Sequence, residues 1–295
     1  LSLGLPILLW LRPHWHGLQR LEQTARRVGD GDLSCRTGLP AGSSLGRVGR
    51  TFDQMAEQLQ AMLASRKQLT DAIAHELRTP LVRLRYRLAM LAEPPTAEEQ
   101  QGLERDLGAL DALIEEMLTY ARLDRPELPL QCSDLELGCW AGERLPDWQA
   151  LRPDRRLALQ LPAHPLPWRG DIRLLDRALE NLIGNALRHA TSRVSLAMSR
   201  QQDHYLLEVA DDGPGIDPAL APQIFEPFVR LDQSRDRRTG GTGLGLAIVR
   251  SIARHHGGEV QLLPAETGAR FCLRLPVHLD TNRHQSLTEP QVEQP

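Results

Sequence analysis

Cysteine is scarce in this sequence and never paired. Cys35, Cys132, Cys139 and Cys272 stand far apart with no CxxC among them, which reads against a disulfide scaffold and a structural zinc site and fits a reducing cytosol. Charge of one sign is also lacking: a net charge of -3 over 295 residues gives no bulk attraction for nucleic acid. Internal repeats and low-complexity blocks are absent. The apolar run LSLGLPILLWL at the start is shorter than the roughly 20 residues of a membrane span. It is uncharged and begins with leucine rather than methionine, so residues 1–12 are expected to be the end of a transmembrane helix. Trp10 and Trp15 flank Arg12, and Arg20, Arg26 and Arg27 follow. That order suits an interfacial belt opening onto the cytoplasmic side of an inner membrane. Two familiar chemistries each lack a residue. IAHELRTPL (73–81) has Thr79 where an HExxH zinc site needs its second histidine, and TGGTGLGLAIV (239–249) has no GKS or GKT of a Walker loop.

What is present is ordinary in bulk, with 41% hydrophobic and 25% charged residues, and the length allows about two compact domains. Beyond Pro13, Leu18, Leu21, Ala25 and Val28 recur at helical spacing up to the breaker run GDGD. A loop with Gly38, Pro40 and Gly42 follows, then a second amphipathic stretch with Leu45, Val48, Phe52, Met55 and Leu59. This helix, loop, helix unit over 13–64 resembles a HAMP linker, with Ser43 and Ser44 where that family usually has an acidic residue. Residues 65–126 read as a helical hairpin. Ile73, Leu77, Pro80, Leu84 and Leu91 form one heptad seam, and Leu103, Leu107, Leu110, Ile114, Met117 and Ala121 form the other. Between them EPPT (93–96) cannot be helical, and Thr96 can cap the second arm. A lone hairpin buries two such seams poorly, so a homodimeric four-helix bundle is expected. From 127 to 280 short β-rich runs (RLALQL, RVSLAM, YLLEVA, RFCLRL) alternate with helical ones, which predicts an α/β two-layer sandwich. The polar residues 281–295 are expected to be a disordered tail.

Three clusters in the last domain suit one nucleotide. In DRALENLIGNALRHA (176–190), Leu179, Leu182, Ile183 and Ala186, with Leu175 just before, define a buried face. Asn181, Asn185 and Arg188 form a polar stripe beside it. Amide oxygens can ligate magnesium, and the arginine can hold a phosphate. In VADDGPGID (209–217) a strand ends at Asp211, where a carboxylate can accept a hydrogen bond from the amine of adenine, and Gly213 and Gly215 allow a tight turn. In the third cluster Gly241, Gly243 and Gly245 open a helix whose first N–H groups would face an anion. The segment IFEPFVRLDQSRDRRTGG (224–241) joins the last two, carries Phe225 and Phe228, and reads as a lid with Arg230 and Arg235 as phosphate contacts.

The order HELRTP, NLIGN, DDGPG, FEPF, GGTGLGL resembles the H, N, G1, F and G2 boxes of bacterial sensor histidine kinases. The resemblance implies a protein-histidine kinase of a two-component system: a HAMP linker, a dimerisation and phosphotransfer hairpin, and an ATP-binding domain of the Bergerat fold shared with gyrase and Hsp90. It further implies that His75 is the phospho-acceptor, with Glu76 its acidic neighbour. Asn185 would be the main magnesium ligand assisted by Asn181, Asp211 would read adenine, and Thr79 would take part in phosphatase activity. The partner implied is a response-regulator receiver domain. The residues agree with this. His75 lies two positions from the seam residues Ile73 and Leu77, about 200° around the helix, and so faces solvent where another domain can reach it. Glu76 can hold one ring N–H while the other nitrogen attacks a phosphoryl group.

Two other readings stay open at this point. The chain could be a nucleotide-dependent scaffold without phosphotransfer, against which the intact His75–Glu76 pair speaks. The basic run RLRYR (83–87) could be a nucleic-acid patch, but its place in the heptads favours a docking surface for an acidic receiver, with no direct nucleic-acid partner.

Overall fold

A computed structural model of the chain describes residues 4–40, 42, 43, 45–91, 96–125, 128–230 and 242–278, with side chains from residue 14 onward. Ser44, Glu93 to Pro95 of the inter-arm turn, Arg235, Gly241 and the tail 281–295 lie outside the described residues. The chain divides into two compact units, Leu1–His75 and Glu76–Pro295.

In the first unit helix α1 spans Gly4–Gly29. It runs straight through Pro13, where the sequence suggested a beginning, and stops at the expected glycine. No helix among the described residues is long and apolar enough to cross a membrane. Helix α2 spans Gly46–Ala89. The connector before it is held by Asp53 of α2, whose carboxylate accepts from the Thr37 N–H at 2.7 Å and the Thr37 hydroxyl at 3.0 Å. Glycine is needed where the connector presses on the helices: a Cβ on Gly17 would meet Leu45 Cδ1 at 2.9 Å, and one on Gly49 would meet Thr37 Oγ1 at 2.9 Å.

The second unit takes in the rest of α2, with Pro80 inside the helix, and α3, Ala97–Leu123. Thr96 caps α3 in a reciprocal box: its N–H donates to Glu99 at 2.8 Å, and its hydroxyl accepts from the Glu99 N–H at 3.3 Å. The arms are joined by Arg87, which donates to Asp106 at 2.5 Å, with Arg83 at 3.6 Å from the same carboxylate. Gly102 makes room, since a Cβ there would meet the Arg87 guanidinium at 2.5 Å. Two of the three arginines in RLRYR therefore serve the hairpin itself, which narrows the expected docking surface.

The α/β part follows as β1 (Ser133–Glu136), α4 (Leu137–Ala150), β2 (Arg156–Gln160), β3 (Pro167–Gly170), α5 (Ile172–His189), β4 (Arg193–Gln201), β5 (His204–Asp211), α6 (Gly245–His255), β6 (Glu259–Leu263) and β7 (Arg270–Pro276). Five strands make one sheet in the order β2-β4-β5-β7-β6, with β2 parallel to β4 and the other pairs antiparallel. β1 and β3 form a separate antiparallel pair. Along β5 every second residue is buried (Tyr205, Leu207, Val209, Asp211), so the sheet has one covered and one open face. α5 and α6 supply the cover, and their Leu179, Leu182, Ile183, Ile248 and Ile252 are at most 1% exposed. Each such side chain contributes roughly 1.5–3 kcal/mol. α4 adds Trp140 and Trp148, edge to face at 5.7 Å.

One buried ring gives a pH prediction. His256 is 1% exposed and tilts against Trp168. Its Nε2 accepts from the Asp171 N–H at 3.1 Å, so the ring proton sits on Nδ1 and is donated to the Ile252 carbonyl at 2.9 Å. Burial lowers the His256 pKa below the ordinary 6.5, with neighbouring Asp171 opposing and His255 assisting. The folded state thus binds fewer protons than the unfolded one. Its stability is full above the ordinary value and falls as pH drops below about 6.5. Denaturant midpoints are expected to fall between about pH 7 and pH 5.5, and His256→Gln to flatten that slope. Equal slopes would remove His256 as the cause.

Candidate functional site

α5 is the axis of the site. Asp171 caps it, accepting from Arg173 N at 3.2 Å and Leu174 N at 3.4 Å. Its core face is sealed, and Asn181, Asn185 and Arg188 are left on the flank. Asn181 donates its amide to the Arg177 carbonyl at 2.9 Å, which turns its oxygen toward the start of α6. A Cβ on Gly245 would sit 2.9 Å from that oxygen. Gly245 is thus the residue that lets α6 approach α5.

At the other end of α5 stands the turn after β5. Asp211 is 7% exposed, and its Oδ1 accepts from Gly213 N at 2.8 Å and Ala269 N at 3.2 Å. Burial raises its pKa, and the two N–H groups oppose the rise. A Cβ on Gly213 would meet the His189 carbonyl oxygen at 2.4 Å, and Gly215 adopts φ +79° against Gly268. Asp212 ties the same corner, accepting from the N–H groups of Thr191 (2.9 Å), Ser192 (2.9 Å) and Arg193 (3.0 Å).

The third cluster is set by Gly243, at φ +77°, where a Cβ would meet Phe228 Cα at 2.8 Å. Phe228 itself adopts φ +63°, and its N–H donates to the Gly243 carbonyl at 3.0 Å. Phe225 is buried edge to face on Phe271 at 6.2 Å. α6 begins with no side-chain cap on Leu244's side, but Leu244 N donates to Thr242 Oγ1 at 3.2 Å. The Thr242 hydroxyl in turn donates to Glu116 of α3. Arg188 lies on the surface, yet the groups packed around its head lower its pKa; Glu116 opposes this, while Arg230 and Arg152 add to it.

On α2, His75 is exposed and Glu76 and Thr79 are half-buried. Of the other expected phosphate contacts, Arg230 is exposed, whereas Arg235 and Gly241 fall outside the described residues. The sequence reading missed Gly268 and Ala269. Gly268, at φ +68°, leaves only 1.8 Å between a would-be Cβ and the Asp211 carbonyl oxygen, and Ala269 supplies an N–H to the carboxylate. The available signal was the glycine in ETGAR just before a strand.

A cavity of about 340 Å³ opens on the sheet's other side, lined by Ser195, Ala197, Glu208, Arg270 and the edge of Asp211. Glu208 and Arg270 in that lining are paired at 2.8 Å. The asparagines and the α6 N-terminus face away from it. For a cation, no group of three or more His, Cys, Asp or Glu suited to a metal occurs among the described residues. Asn181 and Asn185 carry amide oxygens, donors of the hard kind that magnesium takes, an ion that keeps several waters and is held chiefly through substrate phosphates.

Comparison with known proteins bears on the same elements. The HAMP domain model matches residues 11–61, the His Kinase A (phospho-acceptor) domain model matches 65–126, and the histidine kinase-, DNA gyrase B-, and HSP90-like ATPase model matches 170–279. The sensor protein RstB of Escherichia coli K12 is 50% identical over 278 residues, covering 94% of this chain and 64% of that protein. The chain belongs to the sensor histidine kinase family. The sensor histidine kinase CpxA of the same strain is 34% identical over 281 residues, covering 92% of this chain and 61% of CpxA. The chain therefore spans under two thirds of the length of these curated sensor kinases. Among solved structures, full-length ShkA in complex with AMPPNP matches with TM-score 0.53 and 28% identity over 72% of this chain and 46% of that one. The Acinetobacter baumannii histidine kinase AdeS shares the fold, with TM-score 0.58 at 23% identity, covering 69% of this chain and 98% of that one. Helical HAMP and phospho-acceptor segments followed by a mixed α/β ATPase domain are the architecture of this sensor-kinase chain.

Proposed function

We propose that this chain is the ATP-driven portion of a sensor histidine kinase, which phosphorylates its own His75 and passes the phosphoryl group to an aspartate of an RstA-like response regulator. The observation that carries this reading is the meeting, on the flank of α5, of Asn181 with the α6 start and of the α5 end with the Asp211 turn. One nucleotide reaches both ends of such a flank: adenine at Asp211, phosphates at α6. The adenine amine donates to Asp211, whose backbone N–H partners hold the carboxylate in place. Phosphates lie against the α6 amides behind Gly243 and Gly245, with Arg188 and Arg230 as counter-charges and Arg235 and Gly241 completing the set. Asn185, assisted by Asn181, would hold magnesium, which neutralises phosphate charge when bound.

In the transfer step one imidazole nitrogen of His75 attacks the γ-phosphorus. An N–P bond forms, the bond from phosphorus to the bridging oxygen breaks, and ADP leaves with the electron pair. Glu76 holds the other ring N–H and stabilises the positive charge that develops. The domain limits that suit this are 13–64 for the HAMP linker, 65–126 for the phosphotransfer hairpin and 127–280 for the ATP-binding domain. The last limit is supported by Leu137, Trp140 and Trp148, which lie ahead of the ATPase match and yet fill its core. Residues 1–12 would end a helix in the bacterial inner membrane, with the rest facing the cytoplasm. Exposed Leu107, Ile114 and Leu118 on α3 and Leu81, Val82 and Leu88 on α2 are apolar surface that a second copy would cover, giving a homodimer. Arg85 and Tyr86 are exposed, and because Arg83 and Arg87 beside them are engaged by Asp106, these two suit a receiver. Phosphotransfer profiling tests the reading. Labelled chain should pass its phosphate to an RstA-type receiver faster than to unrelated receivers, and transfer to none would overturn it.

Thr79 carries a separate expectation. It lies four residues beyond His75, about 40° around the same helix, so one docked receiver can face both. Its hydroxyl can orient a water in line with an aspartyl phosphate. Thr79→Ala is expected to leave autophosphorylation near normal and slow dephosphorylation of the receiver about tenfold. The measurement is decay of purified phospho-receiver with kinase and ADP. Equal decay would sink the role, and a parallel loss of autophosphorylation would mean that Thr79 serves only the helix.

A further inference from the structure

The elements that form the phosphate corner hold one group the nucleotide reading does not use. Glu116, on the second arm of the hairpin, accepts a hydrogen bond from the Thr242 hydroxyl, and the oxygen of that hydroxyl accepts from the N–H of Leu244, the residue that precedes α6. A carboxylate is thereby tied, through one hydroxyl, to the positive end of a helix. Arg188 and Arg230 neighbour the same spot. The rest of the contact is firm. Leu123 is 4% exposed within the α/β core, Met117 and Tyr120 pack on it, and His255 Nε2 lies 2.8 Å from the Leu123 carbonyl. α3 is thus docked on α6 by an apolar patch with one acidic pin at its edge, and the pin stands where α6 would meet phosphate.

We infer that Glu116 is a built-in competitor for the nucleotide: its carboxylate holds the anion position at the α6 N-terminus, so docking of α3 and binding of ATP phosphates oppose one another. This rests on the ATP site proposed above. The Thr242 hydroxyl has one proton to donate, and two anions set beside it and the same arginines repel one another strongly. When phosphates enter, Glu116 must leave, and the Thr242 hydroxyl exchanges a carboxylate for a phosphate oxygen. By linkage, ATP loosens the hold of α3 as much as that hold weakens ATP. The coupling would keep the ATP-binding domain parked on the hairpin until it is loaded and free it afterwards.

The test is titration of magnesium-ATP into the full chain by calorimetry, for wild type, Glu116→Gln and Asp211→Asn, with amide exchange followed over 116–123. Removing the charge is expected to tighten ATP binding about five- to tenfold. The gap should narrow as salt rises, since part of it is charge repulsion. In wild type, ATP should speed exchange at 116–123; in Glu116→Gln, exchange there should be fast without ATP. Equal or weaker binding by Glu116→Gln, while Asp211→Asn still binds ATP more weakly than wild type, would overturn the competition and leave the ATP site standing. Binding unaffected by Asp211→Asn would overturn the ATP site, and this inference with it. Should Glu116→Gln fail to fold, the wild-type exchange decides alone: slower or unchanged exchange on adding ATP counts against the idea.

Discussion

His75→Gln is expected to abolish ATP-dependent labelling of the chain while ATP still binds within about twofold of wild type, because removing an exposed group costs the fold little. Glutamine suits a helix interior, and His75 is solvent-exposed on α2, so the fold should not notice the change. The chemistry should notice it completely, since an amide nitrogen has no lone pair comparable to that of imidazole for attack on phosphorus. The label lost should be one that is labile in acid and stable in base, as a phosphoramidate is. Persistent label of that kind would move the acceptor to another histidine. Loss of ATP affinity would contradict the assignment of acceptor and nucleotide site to separate parts of the chain.

Asp211→Asn is the sharpest change available at the proposed adenine end of the site. Its Oδ1 already accepts two backbone N–H groups at 2.8 and 3.2 Å, and asparagine keeps an oxygen for them, so the turn is retained. The other atom changes from acceptor to donor and would face the donor amine of adenine. Losing one charge-assisted hydrogen bond and setting two donors against each other is expected to weaken ATP binding by about one to two orders of magnitude. Discrimination against GTP should shrink as well, since its base carries a carbonyl in place of that amine. Calorimetry with both nucleotides, alongside a melting curve, checks this. A variant that melts normally and binds ATP as wild type would remove Asp211 from base recognition.

Much of the site is legible in the sequence because its parts are local. Asn181 and Gly245 belong to motifs with fixed spacing, and a glycine that opens a helix announces that something approaches it closely. What the sequence does not display is the approach itself. That Gly245 faces Asn181, and Gly213 the last carbonyl of α5, depends on contacts across about 60 and 20 residues of chain. Gly268 and Ala269 were missed for the same reason, since they support Asp211 from β7's side of the sheet. α4 is another case. Leu137, Trp140, Ala141 and Trp148 have helical spacing, but Pro146 sits inside the helix and breaks the pattern on paper. The short β1 and β3 are set by pairing with each other, and a four-residue strand carries too little alternation to be seen alone. In RLRYR the charges were visible, but not that Asp106, on the other arm and 19 residues beyond Arg87, takes two of them.

Pro80 sits inside α2 rather than at its end. A proline has no N–H to offer the carbonyl four residues back, and its ring crowds that carbonyl. The helix there has a missing rung, just over one turn beyond His75. Rods that lack a rung bend at it first, and they do so without unfolding on either side. A bend of a few degrees below a fixed point swings the far end sideways in proportion to the length beyond it, and α2 continues to Ala89. The compliance of the whole hairpin arm is thus gathered at one residue, so its stiffness can be retuned by a single change, Pro80→Ala, that leaves every charged group in place.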